Sequence, residues 1–338
     1  MIFATVRPTH SRVALITAEY DEQVCSTGYF VLRGKDFIYN QYLFYFLLTD
    51  EFNGQMEKLQ KGASYPAVTD AEVKNTFLRY PKSLPEQQRI VAILDEAFAA
   101  IAQAKANAEQ NLKNAKELFE SYLQSVFENK GEDWEEKTLG QLSERVSVGH
   151  VGQTSQFYCG RSEGIPFIRA QNVRSGILDW KGIQHITREF HNSLKKSQLK
   201  YGDILFVRVG ANRGDCCILK ERINELNCAN IIFARLKDGN VDFIDRFCQS
   251  SIGRKQLLGM SVGAAQGVIN TKSVAELIIP YPPISEQQII VQKLDALSTE
   301  TKQLEAIYQQ KINDLDELKK SILQKAFAGE LNTTALVA

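Results

Sequence analysis

Residues 84–98 read LPEQQRIVAILDEAF, and residues 284–298 repeat this pattern as ISEQQIIVQKLDALS. The Glu-Gln-Gln triplet and the Leu-Asp pair match at an offset of 200 residues. Upstream of each triplet lie a Gly-Ala pair, a short polar loop and an apolar strand that ends in a turn of Tyr and Pro. A repeat of this length is too long for a solenoid, so we interpret it as a duplicated module in which a domain precedes a helix.

Helical periodicity follows each triplet, because apolar residues recur in steps of mostly three and four. The first copy has Ile90, Leu94, Ala97, Ile101, Ala104, Ala108, Leu112, Ala115, Leu118, Tyr122 and Val126. The second has Ile290, Leu294, Leu297, Thr301, Leu304, Tyr308, Ile312, Leu315, Leu318 and Ile322. This predicts an a/d seam over roughly five heptads, and about 42 residues make a rod about 60 Å long. Small residues face large ones across the copies, which favours an antiparallel pair within one chain over a generic dimerisation coiled coil.

The first copy is shorter than the second. Ile2-Phe-Ala-Thr-Val-Arg7 resembles Ile204-Leu-Phe-Val-Arg-Val209, so Met1 takes the place of Asp203 and residues 138–202 have no counterpart. Two explanations stay open: a start upstream of Met1, or a broken gene or recombination cassette. The predicted division is 1–83 partial first domain, 84–130 first helix, 131–285 complete second domain, 286–331 second helix and 332–338 tail.

Composition excludes several classes of protein. With 44% hydrophobic and 24% charged residues the chain is of ordinary globular type, with no bilayer-length apolar run and no secretory signal, so we expect it in the cytoplasm. The six cysteines lack zinc-site spacing, and we expect them reduced and buried, with no metal site. The net charge is zero, yet residues 138–285 carry 19 Lys and Arg against 12 Asp and Glu, a net of +7. This asymmetry indicates either a partner with phosphates or a chance surplus on a solvated surface.

The second domain reads as mixed α/β (α+β) with strands dominant. Candidate strands are Ile165–Ala170, Ile204–Val209, Cys216–Leu219, Ile231–Leu236 and Glu276–Ile279, and candidate helices are Asp242–Ser250 and Ile252–Leu258. The loop from Gly210 to Gly214 joins two strands and matches neither a P-loop nor a dinucleotide fingerprint.

Several ordered motifs together resemble one family. The segments IPFIRAQNV (165–173), YGDILFVRVGANRG (201–214), GAAQGVIN (263–270) and PPISEQQ (282–288) are similar to the target-recognition domains of type I restriction–modification specificity (S) subunits. The resemblance runs along the whole chain and departs from the family in the absent first half of the first domain, which is truncated at its N-terminus.

This resemblance implies a non-catalytic reader of DNA. Each domain would read one half of a bipartite double-stranded DNA site, and the antiparallel helices would act as the spacer ruler between the halves. Adenine-N6 methyltransferase (M) subunits and restriction/translocase endonuclease (R) subunits would be its partners. No cofactor would be bound by this chain, while S-adenosylmethionine, ATP and Mg2+ would be used by the partner subunits.

Direct readout needs Arg, Asn or Gln at base edges, while phosphate contacts fix the register. The second-domain candidates are Arg169, Gln171, Asn172 and Arg174 after a strand, Arg208, Asn212 and Arg213 in a hairpin, and Gln266, Asn270 and Lys272 in a polar loop. The first-domain candidates are Arg7, His10 and Arg12 at the hairpin position and Ser64, Tyr65 and Thr69 at the polar loop. Each single residue has the alternative of being an ordinary solvated side chain.

Two other functions remain open. The first is a truncated scaffold or silent recombination cassette that binds methyltransferase but lacks full bipartite recognition. The second is a stand-alone enzyme, for which no nucleophile, metal or cofactor constellation emerges from the sequence.

Overall fold

The computed structural model describes residues 1–20, 22–260 and 267–331. The chain divides into two compact units: unit 1 combines residues 1–113 with 305–338, and unit 2 is residues 114–304. Within the described ranges, no helix combines the length and apolarity that crossing a membrane requires. The predicted class, mixed α/β with two long helices, is confirmed.

Unit 1 begins with three short strands and three short helices before the first long helix. Their bounds are β1 Ile2–Ala4, β2 Val13–Ala14, β3 Tyr29–Val31, α1 Asn40–Phe46, α2 Asp50–Leu59, α3 Asp70–Lys74 and α4 Leu84–Glu128. The strands form an antiparallel sheet in the order β2-β1-β3. Phe3, Phe46 and Phe52 fill the core beneath this sheet.

Unit 2 contains the larger domain. Its strands are β4 Glu135–Thr138, β5 Ser143–Val148, β6 Ile165–Arg169, β7 Val173–Arg174, β8 Ile177–Leu178, β9 Gln184–Ile186, β10 Ile204–Val207, β11 Cys216–Ile218, β12 Asn227–Ala229, β13 Ile231–Leu236 and β14 Ile278–Tyr281. Its helices are α5 Leu139–Leu142, α6 Arg188–Ser193, α7 Val241–Gln249, α8 Ser251–Gly259, α9 Thr271–Ala275 and α10 Ile284–Ala328, which continues into unit 1.

Two sheets organise this domain. The antiparallel sheet β11-β10-β13-β5 has α7, α8 and α9 on one face. The sheet β12-β6-β9 contributes Ile168 and Cys228 to a second apolar core. All four residues of β10 are buried, as a central strand covered on both faces requires. Four cysteines are buried as predicted, but that prediction is wrong for exposed Cys25 and half-buried Cys159.

The duplication is visible in the topology. The order β2-β1-β3 repeats β11-β10-β13, and α1, α2 and α3 repeat α7, α8 and α9 at an offset of about 200 residues. Matching side chains cap the matching helices: Thr49 and Ser250 cap α2 and α8, while Thr69 and Asn270 cap α3 and α9. In the described part of unit 1, no strands correspond to β4–β9.

The long helices run antiparallel within each unit. In unit 1, Leu94 of α4 shares a core with Leu323 of α10, and Lys105 bonds Asp316 at 2.7 Å. In unit 2, Leu123 and Phe127 of α4 share a core with Leu294 of α10. The residue numbers rise along one helix as those of its neighbour fall, which is the predicted antiparallel pairing.

The buried stripe on α4 follows steps of seven residues and then shifts. Its buried members include Gln87, Leu94, Ile101, Ala108, Ala115 and then Leu123. An α-helix drifts about 20° per heptad against a strict seven-residue repeat, so after five heptads the inward position moves by about one residue. The predicted seam is therefore wrong at Leu118 and Tyr122, and also at Leu304 and Leu318, which are exposed.

Candidate nucleic-acid interface

Several strands of unit 2 end at one edge of the domain. Ala229 at the end of β12 pairs with Arg169 at the end of β6, and Ile231 at the start of β13 pairs with Val207 at the end of β10. Only Asn230 separates these two pairings along the chain. Arg169 and Arg208, which the sequence assigns to different clusters, are thereby brought to the same edge.

The hairpin after β10 lies beside the polar loop that precedes α9. The Ile269 N–H donates to the Arg208 carbonyl at 3.1 Å, and the Arg213 guanidinium donates to the Gly267 carbonyl. Arg254 of α8 fixes the base of the hairpin through an ion pair with buried Asp215 at 2.7 Å. The second and third predicted clusters therefore form one surface, of which Gln266 lies outside the described residues.

Two of the arginines retain unused donor capacity. The Nε atoms of Arg169 and Arg208 are buried, and neither has a hydrogen-bond partner among the residues that the structure describes. The Arg169 guanidinium lies 5.8 Å from the ring centroid of Tyr158. Planar guanidinium groups of this kind are suited to acceptor-rich partners such as guanine edges and phosphates.

The rest of the first cluster turns inward, with the exception of exposed Gln171. Asn172 is fully buried; its Oδ1 accepts from the Arg169 N–H at 3.1 Å and its Nδ2 donates to the Asp179 carbonyl at 3.0 Å. The Arg174 guanidinium donates to its neighbour's carbonyl, that of Val173, at 2.8 Å. In this conformation Asn172 shapes the loop and is closed to a ligand, which argues against the predicted contact with DNA.

The remaining second-domain candidates have mixed positions. Asn212 is half-buried in the hairpin, where its carbonyl accepts from the Asp215 N–H at 3.0 Å. Asn270 caps α9 by accepting from the Ser273 N–H at 2.9 Å, so its side-chain oxygen already has a local partner. Lys272 is exposed, with Glu276 at 3.7 Å.

In unit 1, two arginines lie in the hairpin after β1. The pairing of β1 with β2 matches that of β10 with β11 at an offset of 203 residues, so Arg7 and Arg12 take the places of Gly210 and Asp215 in a hairpin that is likewise basic. Arg7 has a left-handed backbone with φ of 52°, and its guanidinium lies 5.1 Å from the ring centroid of Tyr65. Both arginines and Tyr65 line a groove of about 240 Å³.

The other unit 1 candidates do not line this groove. His10 is exposed in a short turn, and Ser64 is exposed in the polar loop. Thr69 caps α3 in a reciprocal arrangement with Glu72, and the hydrogen bond from the Thr69 backbone and that from Lys61 lower the pKa of Glu72 to about 2. Thr69 therefore has a local structural role.

Sequence reasoning missed His150 and Tyr158. His150 follows β5 at the shared edge, where its N–H donates to the Cys228 carbonyl at 2.9 Å. The centroid of its ring lies 5.2 Å from that of the Phe190 ring. A signal was present, since His150 lies between Gly149 and Gly152, and a Cβ at Gly149 would approach the Cys228 carbonyl oxygen to 2.7 Å. In the described ranges, no group of His, Cys, Asp and Glu is placed to hold a metal ion.

Comparison with known proteins gives concordant matches. The family described as Type I restriction modification DNA specificity domain matches residues 1–114 and 131–314. The EcoKI specificity subunit of Escherichia coli (strain K12) is 26% identical over 323 residues, covering 91% of this chain and 69% of that protein.

Two solved structures are similar along almost the whole chain. A chain from a structure described as the basis of complex assembly and conformational transition of the type I R-M system aligns with a TM-score of 0.81 at 25% identity, covering 98% of this chain and 82% of its own. The HsdS subunit from Thermoanaerobacter tengcongensis aligns with a TM-score of 0.66 at 26% identity, covering 98% and 80%.

Proposed function

The chain belongs to the type I restriction–modification DNA specificity family, and from this we propose that it is the non-catalytic subunit that directs such a complex to a bipartite DNA site. Its partners are double-stranded DNA, adenine-N6 methyltransferase subunits and restriction/translocase subunits. We assign S-adenosylmethionine, ATP and Mg2+ to those subunits and place the protein in the cytoplasm. The two long helices connect the two readers and serve as the spacer.

The observation that carries this proposal is a pair of arginines in each of two matching hairpins. Arg208 and Arg213 lie in the hairpin after β10 and Arg7 and Arg12 in the hairpin after β1, and the two strand pairings match at an offset of 203 residues. In each unit a hydrogen bond joins the hairpin to the polar loop. In unit 2 the Arg213 guanidinium donates to the Gly267 carbonyl. In unit 1 the Arg7 N–H donates to the Pro66 carbonyl at 2.7 Å. Two copies of one basic edge fit two half-sites of one DNA target.

We expect the double change Arg208→Ala and Arg213→Ala to weaken DNA binding by the assembled methyltransferase and to flatten its salt dependence. Each lost phosphate contact lowers the slope of log K against log salt by about 0.9, and each lost base contact costs about 1–3 kcal/mol. Binding is measured by fluorescence anisotropy at several salt concentrations. Methylome sequencing then reports which half of the motif is lost.

Arg188→Ala is the matched control, because it removes one positive charge from the same unit at an exposed position. Arg188 forms an ion pair with Glu225 at 2.6 Å. Arg7→Ala with Arg12→Ala tests the other edge and should relax the other half-site. If both double variants behave like Arg188→Ala, or if no split motif depends on this chain, the proposal fails and the scaffold alternative replaces it.

A further inference from the structure

Residues 77–80 of unit 1 occupy the place that β14 occupies in unit 2, at an offset of 201 residues. In both units a glutamine holds the first residue of the segment. Gln55 bonds the N–H and the carbonyl of Phe77, both at 2.8 Å, and Gln256 bonds those of Ile278 at 3.0 and 3.1 Å. One side of the backbone is therefore fixed in the same way in both units.

The other side differs. In unit 2, β14 pairs with β4, with Ile279 opposite Lys137, and the Lys137 ammonium lies 4.1 Å from the ring centroid of Tyr281. In unit 1, the N–H groups of Leu78 and Tyr80 have no hydrogen-bond partner among the described residues. An unpaired edge of this kind is a template for another strand.

Aromatic rings surround the open edge. Phe77 is 82% exposed, Phe37 52% and Tyr80 40%, and the rings of Phe37 and Tyr80 stack at 5.8 Å. Tyr80 is the counterpart of Tyr281, which β4 covers in unit 2. In the part of the chain that the structure describes, the edge thus lacks both a backbone partner and a cover for its rings.

The path of the chain identifies an occupant. β4 begins seven residues after the last residue of α4, and residues 335–338, ALVA, stand at the same distance after the last residue of α10. The ends of the two helices are seated alike. Phe127 packs on Phe243 and Phe247 at 5.4 and 5.2 Å, and Phe327 packs on their counterparts Tyr42 and Phe46 at 4.8 and 5.8 Å.

We propose that residues 335–338, which lie outside the described ranges, bind the open edge of residues 77–80 as an antiparallel strand. By the register of β4 on β14, Val337 lies opposite Leu78 and Ala335 opposite Tyr80. Val337 then takes the place of Lys137 over the tyrosine ring, and no side chain of the segment carries a charge that would have to be desolvated.

Hydrogen exchange of single amides, followed by NMR on the full chain, tests the pairing. The Leu78 and Tyr80 amides should exchange about ten-fold or more slowly than in a chain that ends at Leu331, because each amide would be bonded. Val337→Pro removes a pairing N–H and should restore fast exchange. Leu336→Pro is the matched control, because in the proposed register the N–H of Leu336 points away from the edge and makes no pairing bond. Pro280, which has no N–H, occupies such an outward position in β14. Equal exchange in the full and shortened chains would overturn the pairing.

A disulfide identifies the occupant. With exposed Cys25 and half-buried Cys159 changed to serine, Arg79→Cys combined with Leu336→Cys should oxidise to an intramolecular bond at monomer mass. Arg79→Cys combined with Thr334→Cys, two residues out of register, should oxidise far less. A crosslinked dimer would assign the edge to a second copy, and the lack of any crosslink would reject the register; either result overturns the proposal.

Discussion

At the scale of single residues, Asp245 is an ionisable group that the fold places in its core. The side chain lies on α7, where one oxygen accepts from Gln249 Nε2 at 2.5 Å and the other has no partner among the described residues. Burial raises the pKa of Asp245 to about 7, and the nearby positive charges of Arg246 and Lys220 only partly oppose this. An unfolded aspartate titrates near pH 3.9.

This difference predicts a dependence of stability on pH. Between about pH 4 and pH 7 the folded protein keeps a proton that the unfolded chain has released, so the contribution of Asp245 is complete below about pH 4 and decreases as the pH rises to 7. Asp245→Asn cannot ionise and should raise the melting temperature at pH 8 but leave it nearly unchanged at pH 4. Thermal melts across this range check it, with Asp242→Asn on the same helix as the control. Parallel pH curves for wild type and Asp245→Asn would contradict it.

The candidate site was predictable to different degrees at this scale. The placement of Arg7, Arg12, Arg208 and Arg213 in two hairpins follows from the repeat, because matching strands are followed by matching hairpins, although the arginines themselves do not fall at matching positions. The role of Asn172 did not follow, since an amide next to a strand reads the same whether it faces a ligand or the loop's own backbone. Asn270 had a local signal, because a side-chain acceptor three residues before a helical N–H is a typical cap.

At the scale of elements, one buried glutamine anchors the start of each long helix. Gln287 accepts from the Asn240 N–H and donates to the Pro282 carbonyl, both at 2.8 Å, and thereby joins the start of α10 to the start of α7. Gln87 does the same for α4, with the Tyr39 N–H at 2.7 Å and the Pro81 carbonyl at 2.8 Å. The central glutamine of the repeated triplet thus has a structural explanation, and its exposed neighbours Gln88 and Gln288 do not share it.

Gln287→Ala should destabilise unit 2 by about 1–3 kcal/mol, because it leaves the half-buried Asn240 N–H and the buried Pro282 carbonyl without partners. Gln288→Ala should change stability by less than about 0.5 kcal/mol. Both tryptophans of the chain, Trp134 and Trp180, lie in unit 2, so urea unfolding followed by their fluorescence reports this unit. Equal midpoints for the two variants would show that the anchor contributes nothing.

The elements were predicted unevenly, for physical reasons. The strands with continuous apolar runs, such as Ile204–Val207 and Ile231–Leu236, were found close to their true bounds because burial on both faces leaves a plain signal. β5 (SERVSV) and β12 (NCA) were missed, since an edge strand and a three-residue strand carry little hydrophobic pattern. The helices were found, but their inward face was displaced at Leu118 and Tyr122 by the drift of the helix against the heptad.

At the scale of the whole molecule, the units do not follow the order of the chain. Unit 2 is one continuous segment, whereas unit 1 needs residues 1–113 and residues 305–338 together. Leu323 and Ala326 share a core with Tyr42 and Leu94, and the Phe327 ring packs against that of Tyr42 at 4.8 Å. A domain at the start of the chain is therefore completed by a helix at its end.

A chain that ends at Leu304 should retain unit 2 and lose unit 1. The shortened chain keeps every candidate contact residue, yet leaves Tyr42, Tyr45 and Leu94 without their apolar cover. Hydrogen exchange should become fast across residues 1–113, while the tryptophan-monitored unfolding midpoint of unit 2 stays within error. Protection of residues 1–113 in the shortened chain would show that the α10 segment is dispensable there.

This division has a consequence for synthesis on the ribosome. Domains usually fold as they emerge, the N-terminal one first, but here the first domain leaves the exit tunnel long before Leu323 and Phe327 are translated. The aromatic surface of the first domain therefore stays exposed while the second domain folds. A premature stop codon late in the gene would first disable the reader encoded at its beginning.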